Sequence, residues 1–219
     1  MERVQRVRVW SGGLRLAHWL IALAVLVLLA TGWLIGLAPS LAADASDAHG
    51  LAGFVLTLGL ALRLYLLVAG SGAARWRALV PAPGDLAKAG MMLRFYLSLG
   101  RTPLPRWYAH NPLWVPLYAL ILLILVAQSA TGLLMTHWPL LAGFYLPAVH
   151  AFFAPVVLAF SALHVAAVVL HDARGTSADV SAMINGHRIF VIEKPETPAQ
   201  AGIQSIPVEQ IGKRRGAPD

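Results

Sequence analysis

The 219-residue chain contains no cysteine. Disulfides, thiolate zinc sites, cysteine-ligated iron–sulfur clusters and c-type haem attachment are therefore excluded, and histidine is left as the only strong ligand for a soft or borderline metal. Charge is scarce too. Asp, Glu, Lys and Arg make up 12% of the residues, against 58% hydrophobic, and none of the four occurs between Trp107 and His171. Too apolar for a soluble domain, the chain reads as an all-α integral membrane protein. Acids are scarcer than bases, 10 against 17, for a net charge of +7. The bases lie beside the apolar runs and form no basic-aromatic module, so the charge is assigned to membrane orientation, with lipid rather than nucleic acid as the partner.

A hydrocarbon core requires about 20 apolar residues per helix, and four such spans can be placed, at residues 14–37, 49–70, 112–135 and 148–172. The expected architecture is a four-helix transmembrane bundle. The third and fourth spans are separated by "THWPLLAGFYLP", whose prolines and glycine read as a turn. The connection after Leu37, "APSLAADASDA", carries acids and no base, whereas residues 71–111 carry Arg75, Arg77, Lys88, Arg94, Arg101 and Arg106 against Asp85 alone. Basic residues mark the cytoplasmic face. The N-terminal arginines and the tail bases fall on that side, as does Arg63 if it snorkels. Both termini are therefore expected in the cytoplasm, in a multi-pass membrane protein. The basic N-terminus, apolar run and "SLAADA" imitate a signal peptide, but the run exceeds an ordinary h-region of about 7–15 residues and is read as the first span. Residues 1–192 form the expected bundle domain. Residues 193–219, polar with several prolines, form an expected mobile tail.

The chain has eight histidines. An imidazole in hydrocarbon is costly, so an intramembrane histidine is a candidate functional group. His18 sits just inside the first span near the cytoplasmic face, His49 opens the second span at the outer face, and His150 opens the fourth. His164 follows His150 at a distance that on a helix is about 21 Å of rise, with the two side chains within roughly 40° of one face. Each side of the membrane thus has a pair: His49 and His150 outside, His18 and His164 inside. Paired neutral imidazoles from different helices, without a carboxylate or thiolate beside them, suit the two axial positions of a haem iron. Two pairs at two depths point to two haem b groups stacked along the membrane normal. Thr31-Gly32 and Thr131-Gly132 in the outer halves of the first and third spans, and Gly53 one turn from His49, permit close approach of a planar macrocycle, and equally serve helix packing.

The remaining histidines are read differently. His171, on the face of His164 but at the membrane edge, would meet a haem propionate, assist proton uptake or, the favoured reading, be solvated. His110, His137 and His187 read as interfacial. Arg63 would either pair with a propionate of the inner haem or snorkel to headgroups.

Several stretches carry a family resemblance. "FVLTLGLALRLYLLVAGSGAARWRALVP", "HNPLWVPLYALILLILVAQSATGLLM" and "GTSADVSAMINGHRIF" resemble the b-type cytochrome subunit of membrane-bound [NiFe] hydrogenases, part of a wider group with the formate dehydrogenase gamma subunit and bacterial cytochrome b561. The resemblance covers about residues 5–190 and implies a di-haem cytochrome. In it, His49 and His150 hold the outer haem and His18 and His164 the inner one. Electrons come from a periplasmic redox enzyme, a hydrogenase of small and large subunits, and pass to menaquinone or ubiquinone. The formate dehydrogenase relatives bind quinone near the inner haem, at positions that look like Asn111 and His164 here, with His171 close by. Trp138, Phe144 and Tyr145 offer an aromatic docking belt at the outer face.

Two other readings use the same residues. A stand-alone quinol or superoxide oxidoreductase of the cytochrome b561 type shares the ligands but needs no partner. A haem-free metal or proton transporter would use the histidines as relay sites, but the spans lack the carboxylates and broken helices that this requires.

Overall fold

The computed structural model describes residues 3–174 and 179–192; the tail expected from residue 193 lies outside them. By contacts the chain divides into two compact units, one of residues 6–190 and a small one of residues 1–5 with residues 191–219. The described residues of the second are strand ends.

In chain order, strand β1 (Arg3–Arg8) precedes α1 (Gly12–Leu37), α2 (Ala42–Ala69), α3 (Asp85–Leu97) and α4 (Val115–Leu134). Two-residue strands β2 (Leu140–Leu141) and β3 (Phe144–Tyr145) follow, then α5 (Leu146–Arg174), α6 (Asp179–Asn185) and β4 (His187–Ile192), which neighbours β1. Among the described residues four helices, α1, α2, α4 and α5, are long and apolar enough to cross a membrane, so the protein is a multi-pass four-helix membrane protein. These helices are apolar on every face, as a membrane span requires. Leu23, Leu58, Leu123 and Phe152 point outward and are exposed, while Ala24, Leu56, Leu60, Ile124, Leu125 and Val157 meet at the centre. Gly59 lets α2 close on α1: a Cβ there would stand 3.0 Å from Ile21 Cγ1 and 3.1 Å from Leu20 Cβ. Thr57 and Ser129 hydroxyls, 2.7 Å apart, tie α2 to α4.

Three connections differ from the sequence reading. The segment after Leu37 is largely helical: Pro39 starts a short 3-10 turn and α2 begins at Ala42, with Asp44 in its first turn. Alanine favours the helix and an early carboxylate complements its dipole, so His49 lies inside a helix rather than at its start. The basic connection between the second and third spans contains α3, with Met92 and Phe95 fully buried. The expected turn before the fourth span is a hairpin, Leu140 opposite Tyr145 and Leu141 opposite Phe144. Its central residues Ala142 and Gly143 have φ of 51° and 81°, as a two-residue hairpin loop requires.

One end of the bundle is closed by α6 and its exit. Gly186 has φ +86°, ends α6, and accepts on its carbonyl the amides of Val9 (2.9 Å) and Trp10 (3.1 Å). A Cβ at Gly186 would lie 2.8 Å from the Trp10 carbonyl oxygen. Gly186→Ala is therefore expected to destabilise the fold by about 1–3 kcal/mol, read as a lower midpoint in a detergent thermal melt. An unchanged midpoint would remove this closure from the account.

Candidate functional site

The outer histidines meet across two helices. His49 on α2 and His150 on α5 have ring centroids 6.2 Å apart with planes at 72°. Each is held by a threonine on the preceding span. Thr31 donates its hydroxyl to the Val27 carbonyl (2.7 Å), and its oxygen lies 3.0 Å from His49 Nδ1. Thr131 donates to Ala127 (2.7 Å) and lies 3.0 Å from His150 Nδ1. With the hydroxyl proton committed to the helix carbonyl, the threonine oxygen accepts, so each imidazole carries its proton on Nδ1. Nε2 is then the bare lone pair.

The adjacent glycines make room for the rings. A Cβ at Gly32 would lie 3.4 Å from His49 Cε1, and one at Gly132 would lie 3.2 Å from His150 Cε1. The clearance they give is to an imidazole edge. Gly53 has open space beyond its Cα, with nothing within 4 Å of an added Cβ.

The inner histidines meet in the same way. His18 on α1 and His164 on α5 have centroids 6.4 Å apart at 66°. Their surroundings differ: Phe160 stacks on His164 (5.8 Å, 5°), Trp114 and Tyr118 present edges to it at 5.7 and 6.0 Å, and Trp19 stands edge-on to His18 at 5.4 Å.

Both separations fit a shared metal. A metal–imidazole bond of about 2.0–2.1 Å on each side, plus roughly 1.2 Å from each nitrogen to its ring centre, spans about 6.4–6.6 Å. No cluster of three or more His, Cys, Asp or Glu occurs among the described residues. A metal held by one such pair of imidazoles would take its other ligands from a macrocycle, and the donor set fits haem iron.

Arg63 is buried, 9% exposed, and donates to the Ala74 carbonyl at 2.7 Å, so it does not snorkel. His110, just before α4, packs edge-on to Trp10 (5.2 Å) and Tyr118 (5.8 Å). Burial first, and the Arg63 charge second, push it down to about 4. His171, read from sequence as solvated, is 4% exposed. It is enclosed because α3 and α6 fold over the edge of the bundle.

His171 and Asn111 converge on a residue that the sequence reading missed. The Tyr96 hydroxyl lies 2.7 Å from His171 Nε2, 3.1 Å from Asn111 Nδ2 and 2.8 Å from Trp114 Nε1. On its other edge, His171 Nδ1 lies 3.2 Å from Asp179 Oδ2, and Asp179 Oδ1 pairs with Arg188 at 2.9 Å. Asn111, 3% exposed, also accepts from the Leu113 amide at 3.0 Å, which fixes the start of α4. Burial raises the Tyr96 phenol to about 12, so it stays protonated. No local pattern in the polar connection marked Tyr96; the one available signal was a tyrosine on the basic side of the membrane, a face already suspected of proton traffic.

A family model described as prokaryotic cytochrome b561 matches residues 9–186. The chain belongs to that family. Curated relatives of this cytochrome b561 protein include several named "Probable Ni/Fe-hydrogenase B-type cytochrome subunit". The one from Azotobacter vinelandii is 29% identical, covering 89% of this chain and 95% of the relative. That from Cupriavidus necator is 27% identical (86% and 89%), and that from Rhizobium leguminosarum 27% (85% and 90%). No solved structure matches. As a b-type cytochrome, the cytochrome b561 chain is a haem b protein.

The depressed His110 sets a pH dependence. The folded state holds it neutral down to about 4, whereas an unfolded imidazole takes a proton near 6.5. Its contribution to stability is present above about 6.5 and is lost as pH falls towards 4. Melts between pH 7 and 4.5 should show a shallower acid loss in His110→Phe than in wild type; parallel curves would contradict the assignment.

Proposed function

We propose that this cytochrome carries electrons across the membrane between two b haems, from a periplasmic redox enzyme to quinone. His49 and His150 hold the outer haem, and His18 and His164 the inner one. The observation that carries the reading is the meeting of imidazoles in two pairs, 6.2 and 6.4 Å between ring centres, neither of which belongs to a cluster of three or more His, Cys, Asp or Glu among the described residues. Bound haem supplies a reversible one-electron iron couple. The names of the relatives support a [NiFe] hydrogenase as the electron donor.

The chain's own groups divide the remaining work. Thr31 and Thr131 fix the Nδ1–H tautomer, which orients each outer ring and raises its basicity; Gly32 and Gly132 give the rings clearance. Arg63 commits one N–H to Ala74 and keeps others for a propionate. Trp138, Phe144 and Tyr145, all more than half exposed, form the docking surface for the periplasmic partner. The distribution of Lys and Arg puts both termini in the cytoplasm, and quinone is reduced near His164, Asn111 and His171 with protons from that side.

Pyridine-haemochrome quantitation should give two haem b per chain, and His164→Ala should remove only the inner one; retention of both haems would overturn the pairing. Thr131→Val leaves the His150 Nδ1 proton without its acceptor, so haem affinity at the outer site should fall about 10- to 100-fold. Titration of apoprotein with haem reads this directly, and an unchanged affinity would reduce Thr131 to a packing residue. The outer imidazoles, being hydrogen-bonded at Nδ1, are the stronger electron donors, so the outer haem should have the lower potential. A redox titration in which the outer haem has the higher potential would contradict the outer-to-inner direction.

A further inference from the structure

The basic connection between the second and third spans builds α3 at the level where the spans end. Tyr96 on α3 meets Trp114, which caps α4, and His171, three residues from the end of α5. Just beyond α3, a Cβ at Gly100 would lie 2.9 Å from Arg174 Cγ and 3.2 Å from Leu170 Cδ1. Met92 and Phe95 are fully buried and seat one face of the helix on the bundle. Another face is left open. Leu86, Leu93 and Leu97 fall within about 20° of one line along the helix and are 88%, 49% and 78% exposed. A leucine row of this length facing water is costly. Arginines border it. Arg94 on α3, Arg101 after it and Arg174 at the end of α5 are exposed, and none has a side-chain hydrogen bond or ion pair among the described residues. Arg101 follows the glycine that touches Arg174, so these two bases share one patch. Trp76, in the same connection, is half exposed with the Arg77 guanidinium 5.6 Å over its ring, an amphipathic pair suited to a membrane interface.

We infer that α3 is an interfacial helix whose leucine row lies in the acyl edge of the nearer leaflet, with Arg94, Arg101 and Arg174 on the phosphates of anionic phospholipids. Depth supports the first half, because the end of α3 is level with the start of α4 and the last turn of α5. Charge selects the occupant. A second copy docked through the same row would set these arginines against their own equivalents, and the proposed redox partner docks at the opposite face. An anionic headgroup supplies the negative charge that residues 71–111 lack, with Asp85 as their only acid, and the combination of apolar row and basic rim is that of a helix lying in a membrane surface. The contact bears on the polar cluster as well. Phe95 and Tyr96, on the same helix, cover His171, so lipid that holds α3 in place keeps His171 enclosed.

The test uses the full haem-loaded chain in nanodiscs of phosphatidylcholine with a minority of phosphatidylglycerol. The chain has no cysteine, so Leu86→Cys, Leu93→Cys, Leu97→Cys and Lys88→Cys each give a single site for a nitroxide label. Power saturation compares collisions with oxygen, which concentrates in hydrocarbon, and with a nickel chelate, which stays in water. Both are read against nitrogen, so relaxation by haem iron cancels. The three leucine positions should favour oxygen, and Lys88→Cys, about 160° round the helix from Leu86, should favour nickel. Nickel preference along the row would place it in water and overturn the proposal. Low access to both reagents would mean that protein covers the row, and oxygen preference at Lys88→Cys as well would remove the interfacial geometry; either result overturns it too. For the arginines, spin-labelled lipids report the fraction held at the protein surface. Wild type should prefer phosphatidylglycerol to phosphatidylcholine, and the preference should fall about two- to threefold in the combined Arg94→Gln, Arg101→Gln, Arg174→Gln variant. An unchanged preference would overturn the headgroup contact. Should the combined variant lose its haem, Arg101→Gln alone decides.

Discussion

A ring nitrogen without a partner in hydrocarbon is costly, and the way this bundle meets that cost differs between its two histidine pairs. Each outer imidazole meets it at one nitrogen. Nδ1 is satisfied within the protein by a threonine whose own proton is held by its helix, and Nε2 is left as the free lone pair of a ring whose centre lies 6.2 Å from its partner's. The construction appears once between α1 and α2 and again between α4 and α5, each time as threonine then glycine on one span serving a histidine on the next. Two independent uses of the same pair of residues argue that both are there for the imidazole. General helix packing would not need the hydroxyl.

The inner pair solves the problem with other materials. No hydrogen bond reaches the ring nitrogens of His18 or His164 among the described residues; Phe160, Trp114, Tyr118 and Trp19 surround them instead. Polar groups on this side are gathered one layer further out, on Tyr96, His171 and Asp179. The two ends of the bundle are thus built for different tasks. One fixes a tautomer tightly and exposes aromatics to the outside; the other keeps an apolar cage around the pair and a continuous hydrogen-bond chain beside it.

The spans and both histidine pairs were readable from the sequence because each rests on a single strong local signal, hydropathy over about 20 residues or the position of an imidazole within such a run. What was not readable depends on contacts between distant segments. Nothing near His171 announces that Tyr96, 75 residues earlier, and Asp179 on a short helix would bury it. Arg63 looked free to reach headgroups because its partner, the Ala74 carbonyl, is a backbone atom without a sequence signature. Thr31 and Thr131 were noticed for their neighbours, the glycines, and only the geometry assigned the hydroxyls.

The placement of Asp179 depends on the first span. Arg15 donates to the Ile184 carbonyl, and Trp19 to Met183 at 3.2 Å, so α1 binds the C-terminal carbonyls that α6 leaves unsatisfied. Asp172, at the end of α5, accepts the amides of Asp179 and Val180 at the other end of α6. A seven-residue helix has little stability of its own, and it is held here at both ends by side chains from two spans. Those spans carry His18 and His164. The same helices that bring the inner imidazoles together therefore also fix the carboxylate that lies 3.2 Å from His171 Nδ1, and a shift of α1 against α5 would disturb both at once.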